Sequence, residues 1–409
     1  MAGPTLHDTG RPALELPLPR RCPMSEPAEY ADLRTGGPTR VRTRDGRWVW
    51  AVTRYADVRA LLSSPDFSAD GRNPDLPAVK PEMRGVLTDP PFLRQDPPRH
   101  TAERRLLIPE FTLRRVQGLR PGVERTTAEL LDGMRRKGPP ADLVEDLALP
   151  LPSSVICRLL GVPYDDHAFF QEQARAVVSR TSTREETLTA LGRLFGYMDE
   201  LLTRKRRDPG DDVMSRLATR HMEPAGELSR EGAVKMCAMV LTAGHETTAN
   251  MIALGAVALA EDPDLRAVVR ERPDRVPDVV AELLRYFSIA DLIPVRVAVR
   301  DTRVGGVDIR AGEGAIALLA GANRDPEAFG DPDRLRVRSG DQRHLAFGYG
   351  VHQCLGANLA RMELEVVLPA LVERLPGLRL EAPVSELPYK HDGLVFGLHS
   401  LPVSWGGDQ

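Results

Sequence analysis

Cys354 sits in Phe347-Gly348-Tyr349-Gly350-Val351-His352-Gln353-Cys354-Leu355-Gly356, behind a glycine-containing turn and at the mouth of a helix that apolar spacing predicts over about 355–371. Backbone N–H groups and the dipole at a helix start favour an anion, so the spacing predicts a thiolate. The glycines at 348, 350 and 356 let the backbone turn tightly and lie against a flat ligand. A single thiolate held in this way is suited to be the fifth ligand of haem iron. A small buried cysteine at a helix cap is the plain alternative.

Three further constellations have chemical spacing. Asp96-Pro97-Pro98-Arg99-His100-Thr101-Ala102-Glu103-Arg104 begins a helix with proline in its first turn, and His100 and Arg104, four apart, share a face. Ala243-Gly244-His245-Glu246-Thr247-Thr248 lies in the middle of a long apolar helix. Its small residues leave space beside the helix, and Thr247 can bond back to a carbonyl, bending or opening the helix locally. His245-Glu246 is not a zinc-protease motif, because the second histidine would fall at Ala249. Glu282 and Arg285 are at ordinary salt-bridge spacing.

The pattern F-x-x-G-x-[HR]-x-C-x-G around Cys354 resembles the haem-binding loop of the cytochrome P450 family, of the soluble bacterial type. The resemblance runs from the strand pair near Trp48 to the C-terminal strands, with its motifs in family order. It implies a mainly α fold with a small β region, haem b as cofactor and Cys354 as axial ligand. His100, Arg104, Arg296 and His352 would pair the haem propionates, with Ala243, Phe347 and Gly356 against the same cofactor. Thr247 would hold the bound oxygen species or a water donor, and Glu246 with water would relay protons from solvent. Arg334 would bridge back to Glu282 in a structural triad with Arg285; Asp333 and Leu335 depart from the commonest residues of that motif.

The activity implied is a haem-thiolate monooxygenase that hydroxylates or otherwise oxidises a moderately large, mainly apolar small molecule, in secondary metabolism. The substrate walls would come from the 63–98 loop, the helices around Phe169 and Phe195, the 394–396 turn, and Val240, Gly244, Ile289, Ile293, Pro294 and Val395. The alternatives are carbon-carbon or carbon-nitrogen coupling of aromatic substrates without oxygen insertion, and a non-enzymatic haem sensor, in which the relay residues would have no use. A weak G-x-G-x-x-A match at Gly312 leads into a strand and is not a dinucleotide site, so electrons would come from ferredoxin or flavodoxin with its NAD(P)H reductase. Arg104, Arg105, Arg114, Arg115, Arg343 and Arg361 would face an acidic donor.

The elements that must position these groups follow from the rest of the chain. Its 409 residues are 42% apolar and 28% charged, and a net charge of -3 gives no basic excess for nucleic acid or an anionic membrane. Four scattered cysteines exclude a disulfide framework, prolines and charges interrupt the N-terminus where a signal peptide needs an apolar run, and no membrane span is expected. A cytoplasmic monomer is the expectation. Residues 1–409 read as one α-rich domain, helical over about 97–290 and 355–373 and β-rich over about 38–53, 294–320 and 375–405. The N-terminal and C-terminal strands are expected to share a sheet. The proline-rich stretch 63–98, without period, is expected to be a binding loop.

Overall fold

A computed structural model of the chain describes residues 14–20, 22–78, 80, 89–222, 225–340, 343–391 and 393–406. Strands from opposite halves of the sequence share one sheet, as expected. Strands β1 (Glu15–Leu16), β2 (Thr39–Thr43), β3 (Trp48–Val52), β4 (Phe67–Ser68), β6 (Val295–Ala298) and β9 (Gly314–Ala317) lie in the order β1-β2-β3-β9-β6-β4. The Asp45-Gly46 turn joins β2 to β3 antiparallel, and β3 runs parallel to β9, with Val49 opposite Gly314. Gly305 and Gly306, both at positive φ, turn β7 (Thr302–Val304) into β8 (Val307–Ile309), which suits a two-residue hairpin. Near the C-terminus, β11 (Pro402–Ser404) pairs with both β10 (Arg379–Leu380) and β5 (Ala141–Asp142), the last a strand that the sequence does not announce.

The helices carry the apolar core. Short α1 (Glu29–Gly36) and α2 (Tyr55–Ser63) flank the sheet; α3 (Arg99–Leu107), α4 (Leu113–Lys137), α5 (Pro150–Leu160), α6 (His167–Val178), α7 (Arg184–Arg207) and α8 (Val213–Arg216) form the first part of the helical block. Then come α9 (Arg230–Glu261), α10 (Pro263–Glu271), α11 (Val276–Phe287), a single turn α12 (Leu319–Ala322) and α13 (Ala357–Arg374). Ser229 caps α9 by accepting from Gly232 N, and Thr183 with Glu186 forms a capping box on α7. From Met251 to Leu259 every residue of α9 is buried, because α5, α7 and α13 pack around it. No helix among the described residues is long and apolar enough to cross a membrane. The 63–98 stretch holds β4 and a 3-10 turn at Phe92–Arg94; residues 79 and 81–88 lie outside the described ones.

Candidate functional site

The Cys354 loop is shaped by backbone contacts. Cys354 N donates to Phe347 O at 2.8 Å, closing the turn around Gly350–His352, and α13 begins only at Ala357, two residues later than expected. At Gly350, φ is 73° and a Cβ would come 2.6 Å from Leu62 O, so only glycine fits. Arg104 donates to Gln353 O at 2.5 Å, and the Arg361 guanidinium lies 4.7 Å above the Phe347 ring. Cys354 is open to solvent on one side, yet the surrounding protein pushes its thiol pKa up, against the opposing pull of the Gly356 N–H, Arg104 and Arg361. The helix start alone therefore does not set the thiolate; a cation bound at the sulfur would supply the remaining bias.

Beside this loop the fold gathers positive and neutral-basic groups in excess of carboxylates. His100 is buried on α3 with its ring centroid 4.2 Å from that of His352, and Arg296 is buried on β6. Arg94, which the sequence analysis did not single out, joins them from the 3-10 turn, with Nη2 3.5 Å from Ile293 O. Among the described residues, both ring nitrogens of His100 and Nδ1 of His352 are buried without a partner, and the Arg296 side chain donates only to the carbonyl of the preceding Val295. Burial first, then the neighbouring guanidinium groups, lower the pKa of His352 to about 3; burial and Arg94 lower that of Arg296 to about 10. His100 is lowered by burial and then Arg104. The one nearby carboxylate, Asp96, already accepts from the Ser68 hydroxyl and Ala69 N. A buried cation cluster with orphaned donors calls for anionic oxygens, and two carboxylates of a flat cofactor beside Cys354 fit it. The residues present thus fit a haem.

Helix α9 runs without interruption through residues 243–248, so the expected local opening is not seen. Thr247 Oγ1 does donate to Ala243 O at 2.8 Å, and Thr242 and Thr248 back-bond in the same way. Ala243 is exposed, whereas the space beside Gly244 is taken by α5: a Cβ there would meet Ile156 Cδ1 at 2.7 Å. His245 is buried, its Nδ1 3.0 Å from Leu241 O and its ring set edge-on to Phe170. Glu246 Oε1 is 2.8 Å from Lys390 Nζ, a partner from the irregular C-terminal segment that no local motif announces. Val240, Ile289 and Val395 are buried in the large apolar cluster, against which Ile293 and Phe347 pack; Pro294 is half-buried just before β6. Phe396 N donates to Ile289 O at 3.0 Å, joining two of the expected wall segments.

The structural triad needs correction. Arg285 and Glu282 are fully buried and bonded twice at 2.8 Å, but the Arg334 side chain is exposed and lies 3.7 Å from Asp331. Only its backbone takes part: Arg334 O accepts from Arg285, and Arg336 N donates to Glu282. The turn delivers main-chain groups because carbonyls suffice to satisfy a guanidinium already paired with one carboxylate.

Comparison with known proteins places the fold. The family model "Cytochrome P450" matches residues 44–405. The chain is 45% identical over 404 residues to the vitamin D3 dihydroxylase of Streptomyces griseolus, covering 98% of each. It is 45% identical over 391 residues to the pentalenic acid synthase of Streptomyces avermitilis, covering 95% of this chain and 96% of the relative. The crystal structure of GfsF superposes with a TM-score of 0.89 at 43% identity, over 96% of this chain and 100% of that one. On this match over most of its length, the chain belongs to the cytochrome P450 family.

Proposed function

We propose that this cytochrome P450 monooxygenase binds haem b at Cys354 and hydroxylates a moderately large, mainly apolar small molecule of secondary metabolism. The observation that carries the cofactor assignment is the cluster of Arg94, His100, Arg296 and His352 beside the cysteine, in which three buried imidazole nitrogens have no partner among the described residues. Relatives named for vitamin D3 and pentalenic acid support the substrate class, as does the 20-oxo-5-O-mycaminosyltylactone 23-monooxygenase of Streptomyces fradiae, 42% identical over 406 residues, 99% of this chain and 95% of that one.

Thiolate-ligated haem iron supplies dioxygen activation. The cation cluster with Arg104 would hold the propionates. Thr247 donates to Ala243 O, which leaves the hydroxyl lone pairs to accept from a water. Glu246 Oε2 carries no protein hydrogen bond among the described residues and exchanges protons with water. Val240, Ile289, Ile293, Pro294 and Val395 exclude water and orient the substrate by apolar contact. An acidic ferredoxin, or a flavodoxin, each with its NAD(P)H reductase, meets the exposed Arg105 and Arg114; Arg115 is already paired with Asp211.

The reduced carbon monoxide complex is expected to show the red-shifted Soret band of thiolate ligation; a histidine-type band overturns the assignment. A spin-state screen of apolar metabolites then identifies ligands. Product mass separates hydroxylation, a gain of one oxygen, from coupling, a loss of two hydrogens. Reduction by ferredoxin should slow as salt rises, and a flat profile removes the basic docking face.

A further inference from the structure

We propose that Lys390 is a positioning residue for the relay acid: the C-terminal hairpin reaches α9 through the Lys390 ammonium and fixes the Glu246 carboxylate beside Thr247. The proposal rests on the role given above to Glu246. Lys390 Nζ donates to Glu246 Oε1 at 2.8 Å and to Asn250 Oδ1 at 3.0 Å, bridging two residues one turn apart on α9. The Lys390 and Glu246 side chains are only 11% and 12% exposed. A carboxylate enclosed to that degree is driven towards its neutral form unless a cation is held against it. The other titratable groups acting there are His245, which burial holds below the ordinary imidazole range and so neutral, and Arg175 of α6, which acts on His245 electrostatically. Lys390 is therefore the cation bonded to Glu246.

Lysine suits the position. Only five of the 55 Lys and Arg residues are lysines, and the three donors of this ammonium bridge two acceptors at once. The hairpin behind it is tied throughout its described residues. Lys390 N donates to Gly397 O, His399 N donates to Pro388 O, and the Tyr389 and Phe396 rings stack 5.5 Å apart. A Cβ on Gly397 would come 2.1 Å from Asn250 Oδ1, so the hairpin backbone lies flush on α9. Its far end bonds to Val178 O through Leu394 and to Ile289 O through Phe396, and it carries Val395. One hairpin thus carries both a proposed substrate wall and the charge that orients the proton inlet.

The test compares Glu246→Gln, Lys390→Met, Lys390→Arg and the Glu246→Gln/Lys390→Met double variant as haem-loaded enzymes. Product formed per electron pair and the solvent deuterium isotope effect on turnover are measured with one spin-state-active substrate. Lys390→Met keeps the apolar stem and loses the charge. It is expected to uncouple about tenfold, like Glu246→Gln, with an enlarged isotope effect. The double variant should be no worse than Glu246→Gln alone, and Lys390→Arg should stay within about twofold of the parent. Substrate Kd and the reduced carbon monoxide spectrum should be unchanged in all four. Parent-like coupling in Lys390→Met while Glu246→Gln uncouples overturns the proposal. So do losses that multiply in the double variant, or no rescue by Lys390→Arg. Parent-like coupling and isotope effect in Glu246→Gln overturn the relay role itself, and the proposal with it.

Discussion

Glu282 with Arg285, and Arg94 with His100, Arg296 and His352, are two enclosed groups of basic and charged residues built on opposite terms. In the first, all five N–H donors of Arg285 find acceptors: two carboxylate oxygens, Asn323 O, Pro332 O and Arg334 O. In the second, three imidazole nitrogens are buried without a partner among the described residues, and, beyond burial, Arg94 lowers the pKa of Arg296 and both lower that of His352. Internal satisfaction marks a group that holds the fold together, whereas a shortage of acceptors marks a place made for something that arrives with its own charge.

That contrast can be broken most forcefully at Arg285. Arg285→Leu leaves Glu282 buried without a cation and should cost about 3–5 kcal/mol in the haem-free and haem-loaded chain alike, as urea unfolding would measure. Arg296→Leu should behave oppositely: haem transfer to a scavenger protein becomes about tenfold or more faster, while the haem-free chain is as stable as the parent or more so, since a cation depressed by burial is removed. Equal destabilisation of the haem-free chain by both changes would erase the distinction.

A smaller effect is expected with pH. The His100 pKa lies below its unfolded value, so the unfolded chain takes up a proton that the fold refuses as pH drops through the ordinary imidazole range. Stability present above that range is therefore lost as pH falls from about 7 to 5 in the haem-free chain. His100→Gln should flatten part of the slope, and haem should flatten it in the parent. The smallest stability change is expected from Thr247→Ala. Its hydroxyl back-bonds within α9, so unfolding should shift by less than about 1 kcal/mol, while electron use separates from product formation. Unchanged coupling would remove Thr247 from the relay.

Much of this arrangement is legible in the residues alone. The Cys354 loop declares itself through residue types at fixed spacing, and the strands at 48–52 and 295–298 through short β-branched and aromatic runs between turns. Arg94 does not, because it sits in a proline-rich stretch without period and acquires meaning only when β6 and the His352 turn close over it. Lys390 is silent for the same reason: its partners are on α9, far away in sequence, and a single cation in an irregular segment has no local pattern. Arg334 misleads because residue type points to a side chain where the fold uses a carbonyl. β5 is two residues long, too short for any alternation to register.

The parallel pairing of β3 with β9 also has a kinetic side. Residues 48–52 cannot find their neighbour until residues 314–317 have been made, and the groups proposed to hold the cofactor are drawn from positions as far apart as Arg94 and Cys354. Contacts of such long sequence separation form slowly and late. During synthesis the helical block must wait, unsealed, for the last part of the chain. Haem capture is then a near-final event, and the cofactor, bound by the folded chain alone, pulls the equilibrium towards the closed structure by mass action. Expression with limiting haem should accordingly enlarge the aggregation-prone fraction, while the haem-free chain that does fold remains available for measurement.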